Sequence, residues 1–208
     1  MIVTLTIAAV AAALFIPLFL LRGIGPFDFW CWMSANAVIL LLLCTITDPS
    51  WRKSVLEDPR SRFWPKLGMG LLSAVALYAI FWAGNKTAPL IFDFAQGQIG
   101  DVYAFKTGAS TLRISLLIGF LIGPTEELFW RAFLQRRFEG HWGPWKGLLA
   151  ATALYTGIHI SSLNLMLVLA AMVCGIFWGL LYMRYKSVLL NVVSHSVWDL
   201  AVFVIFPF

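Results

Sequence analysis

Charged residues are scarce in this chain: only 12% of its 208 residues are Asp, Glu, Lys or Arg, while 61% are hydrophobic. Soluble domains carry about a quarter charged residues, so this composition excludes an ordinary soluble protein and indicates a membrane protein. Long polar stretches between the apolar runs are missing as well. We therefore expect a single integral membrane domain over residues 1–208.

Cysteine is also rare, since Cys31, Cys44 and Cys174 are the only three and lie far apart within apolar segments. An odd, scattered set indicates neither a disulfide framework nor a structural zinc site, and we interpret the three as small hydrophobic residues. The net charge of +5 comes from short basic connections beside apolar runs. That distribution is typical of membrane proteins and predicts no nucleic-acid partner.

No Lys or Arg precedes Arg22, and residues 2–21 are almost wholly apolar. A secretory signal usually begins with a basic segment and has a shorter apolar core. We therefore expect 2–21 to be the first membrane-spanning helix, with a signal sequence as the alternative.

Apolar runs of the length needed to cross a bilayer, roughly 20 residues, recur along the chain. The sequence predicts an all-α, polytopic transmembrane helical bundle of about seven spans, at 2–21, 28–47, 67–84, 111–135, 147–161, 165–182 and 188–207. The segment 85–110 is too polar to span and is expected to form an interfacial helix or a lid. Gly119 and Gly123, like Gly175 and Gly179, are four residues apart, a spacing that permits close helix packing but also arises by chance.

Basic residues are unevenly distributed between the two sets of connections. One set carries Arg52, Lys53, Arg60, Arg62, Lys66, Arg136, Arg137, Lys146, Arg184 and Lys186. The other set is poor in cations, with Arg22 on the disfavoured side. Because Lys and Arg are enriched in cytoplasmic loops, the pattern predicts a cytoplasmic N-terminus and a C-terminus outside.

Ionisable residues nonetheless occur inside the later predicted spans, where a charge costs at least a few kcal/mol and usually serves a function. They are Glu126, Glu127 and Arg131 in the fourth span, His159 in the fifth, and His195 and Asp199 in the seventh. Counted at 1.5 Å per residue from the cation-rich ends of their spans, Glu126, His159, His195 and Asp199 lie about 10–18 Å deep in the membrane. This common depth predicts one buried polar site.

Helical spacing separates the carboxylates of the fourth span. Glu127 and Arg131 are four residues apart on one face and are predicted to form a structural pair. Glu126 points about 100° away from Glu127 and remains available for chemistry. Gly123 and Pro124, just before the pair, are expected to open the helical hydrogen-bond ladder there.

The remaining residue types are those that amide hydrolysis requires. A carboxylate and an imidazole can together remove a proton from water, a role that suits Glu126 and His159. A second imidazole can stabilise the oxyanion, a role that suits His195 with Asp199 as its partner.

Two other interpretations remain open. His159, His195 and either Glu126 or Asp199 offer the N, N and O ligands of a catalytic zinc ion, although the H-E-x-x-H motif is missing. Buried Glu, His and Asp side chains also form relays in proton-coupled transporters. Our prediction is the metal-free protease, with these two as alternatives.

Three motifs occur in order on separate predicted helices: EELFWR at 126–131, YTGIH at 155–159 and HSVWD at 195–199. Together they resemble the E-E-x-x-x-R, F-x-x-x-H and H-x-x-x-N/D motifs of the CPBP family, the CAAX proteases and bacteriocin-processing enzymes, also called Abi proteins. Tyr155 stands where the family has Phe. The resemblance covers about residues 120–200, within a protease core that we place at about 111–207.

The resemblance implies an all-helical intramembrane endopeptidase of the glutamic type. It assigns water activation to Glu126 and His159 and oxyanion stabilisation to His195 and Asp199. Asp199 departs from the Asn of the eukaryotic prenyl-protein enzymes. Because an ionised Asp cannot donate a hydrogen bond, we expect it to orient His195 instead.

The short chain and the Asp variant look more like bacterial members of that family. The resemblance therefore implies an inner-membrane protein that acts on a membrane-anchored protein or peptide. Removal of a C-terminal sorting or anchor segment, in the manner called myxosortase, is one activity known among such relatives; peptide maturation and bacteriocin immunity are others. The pattern specifies no oligomeric state.

Overall fold

The computed structural model describes residues 1–106 and 108–208, which are almost entirely helical. Helices α1 (Ile2–Leu21) and α2 (Phe29–Thr47) flank a two-residue antiparallel hairpin of β1 (Gly23–Ile24) and β2 (Phe27–Asp28). Next come α3 (Pro49–Glu57), a 3-10 turn (Asp58–Arg60), α4 (Phe63–Ile91) and α5 (Ala95–Ala104). The chain ends with α7 (Pro144–His159), a 3-10 turn (Ile160–Ser162), α8 (Leu165–Tyr185) and α9 (Val188–Ile205).

Between α5 and α7 lies one continuous helix, α6, whose hydrogen-bond pattern changes along its length. Its segments are Thr111–Leu117, Ile118–Ile122, Gly123–Glu127, Leu128–Gln135 and Arg136–Trp142. The second and fourth segments are π-helical. The first motif therefore begins at the end of a short α-helical segment that has a π-helical segment on each side.

Five helices are long and apolar enough to cross a membrane: α1, α2, α4, α8 and α9. The chain is an integral membrane protein of the all-α class, as the sequence predicts. Two other predicted spans lie on helices outside that set. Helix α7 has only 16 residues, and α6 is divided into α- and π-helical segments that carry buried charges.

Helix α4 is longer than the predicted third span at both ends. The sequence predicts the third span at 67–84, but α4 continues to Ile91 because Asn85 to Thr87 are compatible with a helix. Its 29 residues extend about 44 Å at 1.5 Å per residue, longer than the hydrocarbon core of about 30 Å. The 85–110 segment is correspondingly shorter, and α5 is the only further helix that it contributes among its described residues.

Helix α6 lies at the centre of the bundle. It packs against α2, α7, α8 and α9, while α1 packs on α2 and α7, and α4 packs on α9. The glycine pairs permit some of these close approaches. A Cβ atom added to Gly175 would lie 3.0 Å from the Thr152 side chain, and one added to Gly123 would lie 3.1 Å from the Ser196 hydroxyl.

The two ends of the bundle differ in charge. We call the cation-rich end the one formed by residues 48–66, 136–146 and 184–187, and the opposite end the one formed by 22–28, 92–106, 160–164 and 206–208. Lys186 pairs with Glu139 across the cation-rich end. At the opposite end, the Asn164 amide donates to the Gln98 carbonyl at 2.7 Å and so joins α8 to α5.

Asp48 joins three segments at the cation-rich end. Its carboxylate lies 2.9 Å from the guanidinium groups of both Arg136 and Arg137, and it also caps α3 by accepting from the Trp51 amide. Burial on its own would raise the pKa of Asp48, but hydrogen bonds from Ser50, Trp51 and Arg137 outweigh it and lower that pKa to about 2. Asp48 is therefore charged at neutral pH and anchors the α2–α3 connection to α6.

Gly147 marks the tightest contact between α6 and α7. An added Cβ would lie 2.6 Å from the Glu139 Cα, a backbone atom that cannot move aside. We expect Gly147→Ala to lower the free energy of unfolding by about 1–3 kcal/mol through overpacking. Thermal unfolding in detergent would measure the change.

Gly157, in the same helix, is the matched control because an added Cβ would meet nothing within 4 Å. Gly157→Ala should leave stability unchanged or raise it by up to about 1 kcal/mol, since Ala is the better helix former. Equal effects of the two substitutions would show that the close approach of Gly147 to Glu139 is not the cause.

Candidate active site

Glu126, His159, His195 and Asp199 all line one cavity of about 430 Å³. Each of the four is buried, with between 4% and 7% of its surface exposed. The remaining walls are mostly apolar and come from α1, α2, α4, α5, α7, α8 and α9. Residues that the sequence places on three separate helices thus share a single, mostly apolar cavity.

Glu126 lies two residues after Pro124 in the central segment of α6. Proline has no N–H and its ring clashes with the carbonyl four residues earlier, so it disturbs the regular ladder at this point. The preceding segment, Ile118–Ile122, is π-helical. Such widened turns are frequent at functional sites because they reorient side chains. Here the Glu126 side chain faces the cavity.

Tyr155 connects the two residues that the sequence assigns to water activation. Its hydroxyl donates to Glu126 Oε2 at 3.1 Å. Its backbone carbonyl accepts from Nδ1 of His159 at 2.7 Å. Because a carbonyl can only accept, Nδ1 carries the proton and Nε2 of a neutral His159 has its lone pair free. Tyr155 thereby holds both the carboxylate and the basic nitrogen.

Glu127 is the most highly connected buried group of the site, with 0% exposure. Its Oε1 accepts from Arg131 at 2.8 Å and from His195 Nδ1 at 2.8 Å. Its Oε2 accepts from the Asn191 amide at 3.0 Å. The Glu127–Arg131 pair is present as the spacing indicates, but it is part of a network that reaches α9.

Asp199 lies further from His195 than Glu127 does. Its carboxylate is 3.5 Å from Nε2 of His195, compared with 2.8 Å between Glu127 and Nδ1. Both carboxylates therefore lie beside the His195 ring, and the shorter contact is the hydrogen bond that Glu127 accepts from Nδ1. The orienting role of Asp199 stays a prediction. Asp199 faces the other ring nitrogen, on the cavity side.

Sequence reasoning missed two residues of this network. Asn191 donates to Glu127 and also to the Trp178 carbonyl at 2.8 Å, so it joins α6, α8 and α9. The Trp178 ring stacks on His195 with 3.7 Å between centroids, and Arg131 lies 5.4 Å from that ring. Asn191 precedes His195 by four residues, one helical turn, and that spacing was the available signal.

The zinc site considered as an alternative stays a prediction. Among residues 1–106 and 108–208, no three His, Cys, Asp or Glu side chains are grouped as metal ligands. His195 already engages Glu127 and stacks on Trp178, which holds its ring in place. We assign no step to a metal ion.

The α6–α9 region that carries this geometry matches a known protein family. Residues 108–201 match the family model described as Rce1-like, Type II CAAX prenyl endopeptidase Rce1-like. These residues form a CAAX endopeptidase domain. The protein is therefore an enzyme, a protease, and all three motifs lie within the matched residues. No curated protein and no solved structure matches the chain.

The Tyr155 hydroxyl distinguishes this CAAX endopeptidase domain from the Phe of the motif that it resembles. We expect Tyr155→Phe to retain cleavage within about tenfold, because one hydrogen bond contributes about 1 kcal/mol. The His159 contact survives, since it uses the Tyr155 backbone. Cleavage rates of purified wild type and variant would test this. A complete loss of cleavage would mean that the hydroxyl itself participates in the reaction.

Proposed function

We propose that this protease cleaves a peptide bond with a water molecule activated by Glu126 and His159, in the manner of a glutamic endopeptidase. The observation that carries the proposal is the double contact of Tyr155, whose hydroxyl binds Glu126 and whose carbonyl binds His159. This contact orients a carboxylate and an unprotonated imidazole nitrogen at one wall of one cavity. Such a pair can bind water and remove its proton.

The reaction needs two proton transfers, both through Glu126. The water oxygen attacks the peptide carbonyl carbon while Glu126 takes the water proton and His159 Nε2 accepts the second O–H as a hydrogen bond. The carbonyl oxygen becomes an oxyanion. The C–N bond then breaks, and the carboxylic acid of Glu126 returns its proton to the leaving amine, so that one water is consumed and Glu126 is again ionised.

His195 is proposed as the oxyanion donor. Its Nδ1 donates to Glu127 and its Nε2 faces Asp199 at 3.5 Å. With carboxylates at both nitrogens, the ring holds both protons, and Nε2–H is then available to an oxygen entering the cavity. Preorganised donors of this kind stabilise developing charge because they need no reorganisation during the reaction. Stacking on Trp178 supports the same ring orientation.

We further propose that α6 and α7 lie in the bilayer beside the five long apolar helices, which makes about seven spans. Both pack against helices of that set. The positive charge of the cation-rich end favours a cytoplasmic location for that end, with the N-terminus inside and the C-terminus outside. A bacterial inner membrane remains our prediction for the location.

The proposed substrate is a membrane-anchored protein or peptide. The description of the matching family refers to prenyl endopeptidases, and a prenyl group is an apolar anchor. The mostly apolar cavity beside Glu126 is suited to such an anchor. Removal of a C-terminal sorting or anchor segment, as in myxosortase-like relatives, is the specific activity that we propose to test first.

Co-expression with candidate membrane-anchored proteins tests this function. Wild type is expected to convert a substrate into two fragments, as mass spectrometry would show, whereas Glu126→Ala should leave it intact. Processing that persists in the variant would overturn the mechanism. Two further arms separate the alternatives: inhibition by a chelator would favour zinc, and pH-dependent proton flux into protein-loaded liposomes would favour a transporter.

A further inference from the structure

The catalytic cavity occupies only one half of the bundle. In α1 and α2 it is lined by Phe19 and Phe29, which lie beside the 22–28 connection, and in α4 by residues from Ile80 onward. In α7 and α8 most of its lining lies toward the 160–164 connection, at Tyr155, His159 and 166–174, with Trp178 further along α8. Each of these helices therefore contributes the part that is nearer to the opposite end.

The cavity is closed toward the cation-rich end. Three buried residues lie between the cavity and the cation-rich end: Arg131, Gln135 and Asn191. Each has between 0% and 2% of its surface exposed. The Gln135 amide donates to the Gly179 carbonyl at 2.9 Å, which connects α6 to α8 across this layer. This layer of buried, hydrogen-bonded side chains separates the catalytic cavity from the cation-rich end.

A second cavity, of about 560 Å³, lies beyond that layer at the cation-rich end. It is lined by Arg136, Glu139, Tyr182 and Lys186, among others, and shares no lining residue with the catalytic cavity in the described part of the chain. The two cavities therefore have no lining residue in common, and the catalytic cavity is the one nearer to the opposite end.

We propose that substrate reaches this active site from the extracytoplasmic side of the membrane, and that the scissile bond lies at the extracytoplasmic interface. The proposal rests on the proposed protease function and adds the side and class of its substrate. The cavity lies toward the opposite end of the bundle, and Lys and Arg are concentrated at the other end. The cation-rich end is the cytoplasmic end by the distribution of Lys and Arg, so the open half of the bundle faces away from the cytoplasm.

The walls of the cavity indicate that the substrate is anchored in the membrane rather than free in solution. The cavity runs between α4 and α8, where it is lined by Ile80, Ile91 and Ala170. Ile80 and Ile91 are 46% and 71% exposed, so this wall also faces the surroundings of the bundle, which in a membrane are lipid. An apolar segment can occupy this space without leaving the bilayer, whereas a polar peptide would lose its hydration there.

Thiol labelling in intact cells tests the side of access. Cys31 is exposed at the opposite end, and Cys44 and Cys174 are buried. A membrane-impermeant maleimide should label wild type from outside, and Cys31→Ser should remove that label. In the Cys31→Ser background, Ala88→Cys in the cavity wall should also react from outside. Ser54→Cys, in the second cavity, should react only after the cells are permeabilised.

The reverse labelling pattern would overturn the access side without affecting the protease function. Labelling of Ala88→Cys should also be slowed when a substrate anchor occupies the cavity. Equal rates with and without the anchor would show that the anchor lies elsewhere.

A library of single-span reporter proteins tests the substrate class. One set carries randomised residues at the extracytoplasmic end of the span, a second set at the cytoplasmic end, and a third set consists of the same peptides without a span. Wild type should cleave members of the first set only. Cleavage of the second set would overturn the proposed side, and cleavage of the third set to the same extent would overturn the need for an anchor.

Glu126→Gln separates these outcomes from failure of the proposed function, because it should abolish any genuine cleavage by the cavity residues. If wild type and Glu126→Gln cleave the reporters equally, the proposed function fails. The thiol labelling still decides the access side in that case, since it needs no catalysis.

Discussion

Replacing Glu126 with Gln lowers the cleavage rate by about 10²–10⁴-fold, the contribution expected of a general base. Gln has nearly the same size and can still accept a hydrogen bond from Tyr155, but it cannot take a proton from water. Glu126 makes only that one side-chain hydrogen bond among the described residues, so folding should be unaffected. Single-turnover cleavage of a membrane-anchored substrate, with the amount of monodisperse protein measured in parallel, would show both results.

Two further variants serve as controls for Glu126→Gln. Glu57→Gln removes a carboxylate whose side chain is 56% exposed and pairs with Lys53, so it should leave cleavage unchanged. Glu126→Asp keeps the charge but withdraws it by one methylene, and partial activity is expected. If Glu126→Gln cleaves at the wild-type rate, Glu126 is not the general base. His159 is then the remaining candidate for that role.

Replacing Glu127 with Ala destabilises the folded protein by about 3–5 kcal/mol, the cost of breaking a buried ion pair by removing one partner. The substitution leaves Arg131 buried, with 2% of its surface exposed and without its carboxylate. It also removes the acceptor of His195 and of Asn191. Chemical or thermal unfolding in detergent, together with the yield of folded protein, would measure the loss.

Exposed pairs provide the comparison for Glu127→Ala. Glu57→Ala breaks an ion pair with Lys53 that is open to solvent, and exposed pairs contribute about 0–1 kcal/mol. A change of similar size in Glu127→Ala would contradict the network that we describe. Since Glu127 also orients His195, a Glu127→Gln variant that folds should still lose activity. The Gln side chain has one acceptor oxygen where the carboxylate has two, so it can accept only some of the hydrogen bonds that Glu127 accepts.

Much of the architecture follows from local sequence. An apolar run of about 20 residues determines a membrane helix almost by itself, because the bilayer forces every backbone polar group to be satisfied within the segment. The first predicted span, 2–21, has the bounds of α1. The extension of α4 to Ile91 was missed because hydropathy marks the end of the apolar stretch, whereas a helix ends where its backbone pairing ends.

The sequence by itself determined the membrane class, the charge difference between the two ends, and the three motifs that carry the candidate residues. Spacing along one helix was enough for the Glu127–Arg131 pair, because residues four apart share a face. Only the tertiary structure decided which group holds His195. Glu127 and His195 are 68 positions apart, and their contact depends on how α6 and α9 cross. The separation of the open and closed halves of the bundle likewise arises from packing between helices, which no single segment encodes.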